Sequence, residues 1–358
     1  MDVHLSDKNS NGKDLLTVLS SVLPKLAHLT KIEVGLHNKE VRFSALIQLF
    51  RTFGDLKNLT HITLDLDSTP ISILAEGLAY LNPSKIRKLD LNLYFYRRSQ
   101  YLSRLAQALS RFSLLNILRL KFCDIGQVAR ADIKEFTSIL SSLVSLSSLS
   151  LESSSEFLIE SVGSALKSLK NLNLLKLLTM AKSTEDHIQQ LFSNLKGLSC
   201  LQFLHLSLGN QQCIGDSALE TLAESLKELP ELRKLLLNFE INTQITNKGV
   251  TSLCDTIKGL TNLSSLTLNF TKNQNIDEEA VNQIFEALGS LPWLYYVMIC
   301  LYKCPKLSER EDDLIYSFDA LRKAKKFVEG KLDISYCELH QADLFENVGF
   351  YWDLDSEF

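Results

Sequence analysis

The stretch that decides the fold lies near the carboxyl end, from Leu232 to Asn238, and reads LRKLLLN. Two related stretches follow at intervals of 31 residues: Leu263 to Asn269 (LSSLTLN) and Leu294 to Cys300 (LYYVMIC). Each has aliphatic residues at its first, fourth and sixth positions. Alternation of apolar and other residues is typical of a β-strand with one buried face. The sequence therefore predicts a strand that recurs once per repeat.

A helical pattern precedes each of these strands. Before Leu232, the residues Leu219, Leu222, Leu226 and Leu229 are spaced by three, four and three positions, which places them on one face of a helix. Ten repeats fit the combined template of four helical and three strand positions, and all 70 positions are Leu, Ile, Val or Phe. The predicted helix faces open at Leu16, Phe43, Ile71, Leu102, Ile133, Ile159, Ile188, Leu219, Val250 and Val281, and the strands at Leu29, Leu59, Ile86, Leu115, Leu146, Leu172, Leu201, Leu232, Leu263 and Leu294.

The repeat length selects the architecture. Successive strand openings are 26 to 31 residues apart, which leaves room for a strand, a loop and about three helical turns. Strands that alternate with helices must be parallel. Helices need more width than the spacing of about 4.8 Å between strands, so the stack curves. The predicted fold class is α/β: a solenoid shaped as a curved horseshoe, with parallel strands on the concave face and helices on the convex face.

Residues 14 to 302 resemble a known repeat family. Leu115-x-x-Leu118-x-Leu120-x-x-Cys123-x-Ile125 is similar to the motif of leucine-rich-repeat proteins of the ribonuclease-inhibitor-like subfamily. Repeats seven to nine depart from this motif by an additional apolar residue (Leu208, Phe239, Phe270) and by an Asn placed later (Asn210, Asn242, Asn273). The resemblance implies the solenoid fold and leaves the partner open, because this fold serves many functions.

The predicted domain boundary lies after Tyr302. Residues 1 to 302 form the ten repeats, with a helix from Asp14 to Leu26 as amino-terminal cap. Residues 303 to 358 are expected to form a capping helix from Ser308 to Val328, a short eleventh strand at Leu332-x-Ile334 and an acidic aromatic tail. From Leu332 to Phe358 there are seven acidic residues and neither Lys nor Arg. Two interpretations remain: the tail packs on the repeats, or it is a linear motif for a partner.

Composition and motifs exclude several function classes. A net charge of -4 does not indicate a nucleic-acid or membrane partner for the whole molecule. The seven Cys contain no CxxC pair and the amino terminus does not resemble a secretory signal, which favours reduced thiols and a cytoplasmic location. No GxGxxG, GxxxxGK[ST], HExxH or GxSxG motif is present. We therefore expect neither an enzyme nor a bound cofactor or metal.

The first candidate binding surface is apolar. Alternation predicts that one central row of side chains faces the concave side, and it runs Glu33, Thr63, Asp90, Arg119, Ser150, Lys176, His205, Leu236, Thr267, Met298. Around this row the sequence predicts exposed anchors for a partner in repeats six to eight and in the last repeat: Leu174, Leu178, Phe203, His205, Leu236, Tyr296, Met298 and Tyr302. Exposed apolar and aromatic side chains of this kind are typical of interfaces.

The second candidate surface is basic. Residues 85 to 130 contain ten Lys or Arg and two Asp. Lys88, Arg97, Arg98, Arg119 and Lys121 are the candidate contacts for an acidic peptide or an RNA strand. The alternative interpretation divides these charges between the solvated outer side of the helices and the concave side.

Three functions follow from these features. The first is a non-enzymatic protein-binding scaffold, or a subunit of a larger assembly, that recognises a protein partner through the concave face. The second is a regulator of a small GTPase, because GTPase-activating proteins for Ran resemble this arrangement of repeats followed by an acidic tail. The third is binding of RNA or an acidic peptide through residues 85 to 130.

Overall fold

The computed structural model describes residues 2–6, 12–36, 42–66, 71–94, 101–123, 128–155, 157–179, 181–211, 213–307, 310–325 and 329–333. Arg97, Arg98 and the acidic tail from residue 334 onward, all named in the sequence predictions, lie outside these ranges. No helix within the described ranges is long and apolar enough to cross a membrane.

Strands and helices alternate along the described chain. The strands are β1 (Asp2–Ser6), β2 (Lys31–Leu36), β3 (His61–Leu66), β4 (Lys88–Tyr94), β5 (Ile117–Cys123), β6 (Ser148–Ser153), β7 (Leu174–Thr179), β8 (Phe203–Leu208), β9 (Lys234–Asn238), β10 (Ser265–Asn269), β11 (Tyr296–Cys300) and β12 (Glu329–Asp333). The helices are α1 (Gly12–Val22), α2 (Phe43–Asp55), α3 (Ile71–Leu78), α4 (Tyr101–Leu109), α5 (Arg130–Ser142), α6 (Phe157–Ala165), α7 (Glu185–Ser193), α8 (Asp216–Leu226), α9 (Asn247–Ile257), α10 (Glu278–Ser290) and α11 (Glu311–Lys325).

The strands form one parallel sheet in which spatial order equals chain order, β1 to β12. Each helix packs against the helices of the repeats before and after it. The result is an open, curved sheet with the strands on the concave side and the helices on the convex side, as the repeat length predicts. β12 includes Leu332 and Asp333 of the predicted final strand but begins three residues earlier, at Glu329, and Ile334 lies outside the described residues. β1 was not predicted, because a segment of five residues without a preceding helical pattern does not match the repeat template.

The apolar positions of the template form the core. All but two of the 70 positions are buried, so the spacing of Leu, Ile, Val and Phe identified the core almost completely. The exceptions are Leu26, which is half-buried after the short 3-10 turn Leu23–Lys25, and Phe43, which is 47% exposed. The expectation that Phe43 belongs to the buried helix face is wrong. Phe43 is the first residue of α2, one turn before the first buried residue of that helix, Leu46.

Phenylalanine rings fill the space between strands and helices. Phe122, Phe136 and Phe157 make edge-to-face contacts with centroid distances of 5.5 to 6.0 Å. Further along the chain, Phe239 lies 6.0 Å from Phe270. Phe239 and Phe270, two of the additional apolar residues noted in the sequence, are fully buried directly after β9 and β10. Edge-to-face pairs stabilise a core by about 1 kcal/mol beyond their buried area.

Buried amide side chains join successive turns in the carboxyl half. Asn242 Nδ2 donates to the Leu208 carbonyl at 3.1 Å, and Asn273 Nδ2 donates to the Phe239 carbonyl at 3.0 Å. Gln211 takes the equivalent place one repeat earlier. Buried backbone carbonyls need a donor, and these amides provide one in each turn.

The residues directly before Gln211, Asn242, Asn273 and Cys304 have a left-handed backbone. Asn210, Ile241, Lys272 and Lys303 have φ values of 59°, 60°, 60° and 54°. Asn210 therefore corresponds to Ile241 and not to Asn242, so the expected equivalence of Asn210 with Asn242 and Asn273 is wrong. Asn210 itself occupies the left-handed position, and Gln211 directly after it supplies the amide.

Candidate functional site: the concave face of the sheet

The register of the sheet confirms the predicted central row. Asp90 pairs with Arg119, Arg119 with Ser150 and Ser150 with Lys176 in successive strands. The row continues through His205, Leu236 and Thr267 to Met298 at every strand to β11. Side chains at these positions face away from the core because successive residues of a strand point to opposite faces.

We call one part of this face the central concave surface. It spans β4 to β8 and consists of Asp90, Arg119, Lys121, Glu152, Lys176, Leu178, Phe203 and His205, all of which are half-buried. Along β6 and β8 half-buried and buried residues alternate strictly. This alternation is the pattern of a sheet with one face on the core and the other accessible to solvent.

Two ion pairs cross between strands on the central concave surface. Arg119 Nη1 lies 3.4 Å from Asp90 Oδ2, and Lys121 Nζ lies 3.0 Å from Glu152 Oε1. Both carboxylates therefore neutralise a cation that the sequence assigned to an anion-binding site. The Lys121 and Glu152 side chains are 43% and 41% exposed, so solvent screens their interaction.

Lys176 and His205 are neighbours at the centre of this surface. Burial is the main cause that lowers the pKa of Lys176. Glu152 is the largest opposing influence, and the smaller effects of Arg119 and Lys121 add to the lowering while Asp90 opposes it. Burial and the Lys176 ammonium lower the pKa of His205 to about 3. His205 is therefore a neutral imidazole at neutral pH. Among the described residues Lys176 forms no ion pair, in contrast to Arg119 and Lys121.

Apolar side chains lie next to this cation. Leu178 and Phe203 are half-buried, so part of each side chain is accessible. Leu174 is only 2% exposed, so its predicted exposure is wrong. The reason is its register. Leu174 pairs with Ser148 in β6 and with Phe203 in β8, so the bulky Phe203 ring lies beside it.

The last strands form a different region, which we call the carboxyl-end concave surface: Lys234, Leu236, Ser265, Thr267, Tyr296 and Met298. Ser265, Thr267 and Met298 are buried, with exposed fractions of 7%, 5% and 4%. The predicted exposure of Met298 is wrong, and the Tyr296 hydroxyl lies 3.8 Å from the Met298 sulfur. Leu236 and Tyr296 remain half-buried.

Tyr302 does not belong to the concave face. It follows β11 in a turn, is 6% exposed, and its carbonyl accepts a hydrogen bond from the Lys272 amide at 2.8 Å. The Lys303 ammonium lies 5.1 Å from the centre of its ring. The expectation of an exposed aromatic anchor at Tyr302 is wrong because the chain leaves the strand before this residue.

The basic region 85–130 is divided between faces. Arg104 is exposed on α4, and Arg111 donates to the Ala79 carbonyl in the turn after α3 at 2.8 Å. Lys88 points to the concave side between His61 and Ile117 but is only 5% exposed, so it does not offer an open charge as predicted. Of the three candidate contacts within the described ranges, Arg119 and Lys121 lie on the accessible central concave surface.

The described residues contain no group of three or more His, Cys, Asp or Glu side chains placed to hold a metal ion.

Solved structures share this architecture. A chain of the yeast Rad7–Elc1 complex matches with a TM-score of 0.54 at 16% identity, over 90% of this chain and 76% of that chain. The chain has a leucine-rich-repeat solenoid fold. LegL7 of Legionella pneumophila, a leucine-rich-repeat protein, matches with a TM-score of 0.42 at 16% identity over 93% of this chain and 99% of that chain, and an internalin of Listeria monocytogenes with 0.40 at 18% over 87% and 83%. No protein-family model and no curated protein matches the sequence.

Lys176 was not among the predicted anchors. A lysine in the central row gives no signal in the sequence, because its importance depends on the neighbouring strands. Only the register brings Lys176 beside His205 and Phe203 and leaves Glu152 paired to Lys121.

Proposed function

We propose that this chain is a non-enzymatic protein-binding scaffold, or a subunit of a larger assembly, that recognises a protein partner through the central concave surface. The observation that carries the proposal is Lys176: a half-buried ammonium without an ion pair among the described residues, bordered by Leu178 and Phe203. A carboxylate from a partner would compensate the desolvation of Lys176. An apolar partner side chain would at the same time cover Leu178 and Phe203.

Two further considerations support this proposal. The yeast chain of the same fold was solved in a complex, that of Rad7 and Elc1. The repeat length of 26 to 31 residues is that of the ribonuclease-inhibitor-like subfamily, to which we assign the chain as part of the proposal. We infer that the partner presents an acidic residue next to an apolar or aromatic one.

The test is affinity capture with the full chain as bait, followed by measurement of the affinity for the purified partner. Lys176→Glu reverses the charge at the centre of the surface, and Phe203→Ala removes the largest apolar side chain of the central concave surface. We expect each change to weaken binding by about tenfold to a hundredfold, the range for removing one interface anchor.

Matched controls are available on exposed turns of the same chain. Lys167→Glu makes the same charge change in the turn after α6, and Val144→Ala truncates a side chain that is 50% exposed in the turn after α5. Both should leave binding unchanged. Recovery of no stoichiometric protein, or a partner that binds Lys176→Glu and Phe203→Ala with unchanged affinity, would contradict the proposal.

Nothing on the described residues favours the small-GTPase or the RNA hypothesis over this one. Arg119 and Lys121 are paired with carboxylates, and the other described basic residues of region 85–130 lie on helices and turns or are buried. RNA binding that weakens with salt and with neutralisation of Arg97, Arg98, Arg119 and Lys121 would favour the RNA hypothesis instead.

A further inference from the structure

The edge of the sheet at which the strands begin and the helices end is basic in the first four repeats. Four connections join α1 to β2, α2 to β3, α3 to β4 and α4 to β5: residues 23–30, 56–60, 79–87 and 110–116. We call these four connections the basic edge cluster. They contain no Asp or Glu and five Lys or Arg: Lys25, Lys57, Lys85, Arg87 and Arg111. Because all strands are parallel and in chain order, the four connections lie side by side on one edge.

Carboxylates do not neutralise the cations of the basic edge cluster. Arg111 Nη1 donates to the Ala79 carbonyl at 2.8 Å, and Lys85 Nζ donates to the Lys57 carbonyl at 2.6 Å. These acceptors carry no net charge, so the positive charges persist. Lys25, Lys57 and Arg111 are exposed. None of the five cations forms an ion pair with another described residue.

The general preference of cations for helix carboxyl termini does not by itself explain this cluster. The connections after α8 and α9 also begin with Lys, but those cations are neutralised. Lys227 forms an ion pair with Glu224. Lys258 forms ion pairs with Asp255 and Glu286. Cations at the ends of the helices are therefore paired with carboxylates in the carboxyl half and not in the first four repeats.

The adjoining helix ends add little negative charge to this edge. Asp55 is the last residue of α2, and Glu76 lies near the end of α3, close to Arg51 of α2. Together with the cluster, these residues make six cations and two carboxylates, a net charge of +4, although the whole chain carries -4. An anionic surface therefore attracts the chain in the orientation that presents this edge.

We propose that the basic edge cluster binds the surface of an anionic phospholipid bilayer. The four connections span three repeat spacings, about 14 Å at the strands and about 30 Å at the helices. Cations of neighbouring connections are thus within about one Debye length of each other at about 0.1 M salt, and their attractions to a charged surface add. Clusters of about four to eight Lys or Arg are typical of proteins that bind anionic lipids.

Apolar side chains beside the cations favour a bilayer over a nucleic acid. Val22, Tyr80 and Leu114 are 41%, 38% and 43% exposed at the same edge. Aliphatic side chains such as Val22 and Leu114 can enter the boundary between headgroups and acyl chains. Single-stranded RNA instead requires aromatic faces on which its bases stack. The Arg51 guanidinium already lies over the Tyr80 ring, 4.9 Å from its centre.

The test is co-sedimentation of the full chain with vesicles of phosphatidylcholine, either pure or mixed with phosphatidylserine. We expect the chain to bind the mixed vesicles only, and to dissociate as the salt concentration rises. Each Lys or Arg near an anionic bilayer strengthens binding about fivefold. The double variant Lys25→Glu/Lys57→Glu should therefore lower the partition coefficient by at least about 25-fold.

Lys134→Glu/Lys182→Glu is the matched control, because both residues are exposed toward the opposite edge and the change in net charge is the same. It should keep the partition coefficient within about twofold, since salt screens distant charges. Two further variants test the apolar contact. Leu114→Ala should weaken binding by about threefold, whereas Ile315→Ala, which truncates a 41% exposed side chain on α11, should not.

The proposal concerns the edge and not the central concave surface, so it is independent of the proposed function. Lys176→Glu should leave vesicle binding unchanged. If circular dichroism shows that Lys25→Glu/Lys57→Glu does not fold, Lys25→Gln/Lys57→Gln replaces it, with an expected loss of about 25-fold.

Three results would overturn the proposal. The first is no binding to phosphatidylserine vesicles, or equal binding to pure phosphatidylcholine. The second is an equal loss of binding for the two double variants. The third is binding of single-stranded RNA or of polyglutamate through Lys25 and Lys57 without binding to vesicles, which would assign the basic edge cluster to a different kind of partner.

Discussion

The central and carboxyl-end concave surfaces are built from the same repeat and yet differ in almost every property of their side chains. The central surface carries alternating charges, Asp90 to Lys176, that remain accessible. The carboxyl-end surface carries hydroxyl, amide and thioether groups that are buried, such as Thr267 and Met298. The repeat fixes only the positions that face the core. Positions that face the concave side are free of this constraint, so one sheet can provide two surfaces with different roles.

The framework behind the carboxyl-end surface depends on Asn273, whose amide donates to the Phe239 and Phe270 carbonyls at 3.0 and 2.8 Å. Asn273→Ala removes the side-chain donor of both carbonyls. The Phe270 carbonyl still accepts from the Asn273 backbone N–H at 3.1 Å and from the Cys304 thiol at 3.3 Å, so the Phe239 carbonyl is the one left unsatisfied. Because one unsatisfied buried group costs about 1 to 3 kcal/mol, we expect the free energy of unfolding to fall by about 2 kcal/mol. Urea-induced unfolding followed by circular dichroism measures this change.

Asn275→Ala is the control for that substitution. Asn275 also donates to a carbonyl of the preceding repeat, that of Thr243 at 2.8 Å, but its side chain lies nearer to solvent, which can replace the bond. We expect a loss of less than about 1 kcal/mol. Equal losses of stability for the two variants would show that the buried hydrogen bonds of Asn273 stabilise the carboxyl half no more than the exposed hydrogen bond of Asn275 does.

The pH dependence of stability tests the burial of His205 in the central concave surface. Its folded-state pKa of about 3 lies below its unfolded-state pKa of about 6.5, so the unfolded chain takes up the proton first as the pH falls. The contribution to stability is complete above pH 6.5 and is lost as the pH falls from about 6.5 toward 3. We expect the free energy of unfolding to be lower at pH 5 than at neutral pH by at most about 2 kcal/mol, and by less if solvent reaches the ring.

His205→Gln isolates this contribution, because glutamine does not titrate. We expect the difference in unfolding free energy between pH 7 and pH 5 to be smaller in the variant than in the unchanged chain. A variant with the same pH dependence would mean that His205 is protonated in the folded state and that the central surface is more open than its burial indicates.

Ile241 lies in the turn that follows β9, the first strand of the carboxyl-end concave surface. It is β-branched and has φ of 60°, a conformation that costs L-residues about 1 to 2 kcal/mol. Ile241→Asn places there the residue that the chain already uses at Asn210. We expect thermal unfolding to show stabilisation of about 1 kcal/mol. Ile241→Val, which retains the β-branch, should give no gain, and stabilisation by Val would contradict the strain argument.

The sequence predicted what depends on the repeat and missed what depends on neighbours. Leu235 and Leu237 were placed in the core and Leu236 on the concave face, because alternation alone decides this. Met298 and Leu174 were expected to be exposed, but their burial depends on side chains from adjacent strands. Lys176 could not be identified from the sequence, because its role depends on Glu152 being paired with Lys121 and not with Lys176.

The smallest expected effect concerns the Lys121–Glu152 pair, whose atoms lie 3.0 Å apart with both side chains more than two-fifths exposed. Lys121→Met, Glu152→Gln and the double variant form a cycle that isolates the pairwise energy. We expect less than about 1 kcal/mol in urea unfolding, because solvent and salt screen exposed pairs. We expect the same variants to change the association rate of a partner more than they change stability, since accessible charges steer encounter. A pairwise energy well above this value would make the ion pairs part of the framework, and the central surface would then resemble the carboxyl-end surface in being built for stability.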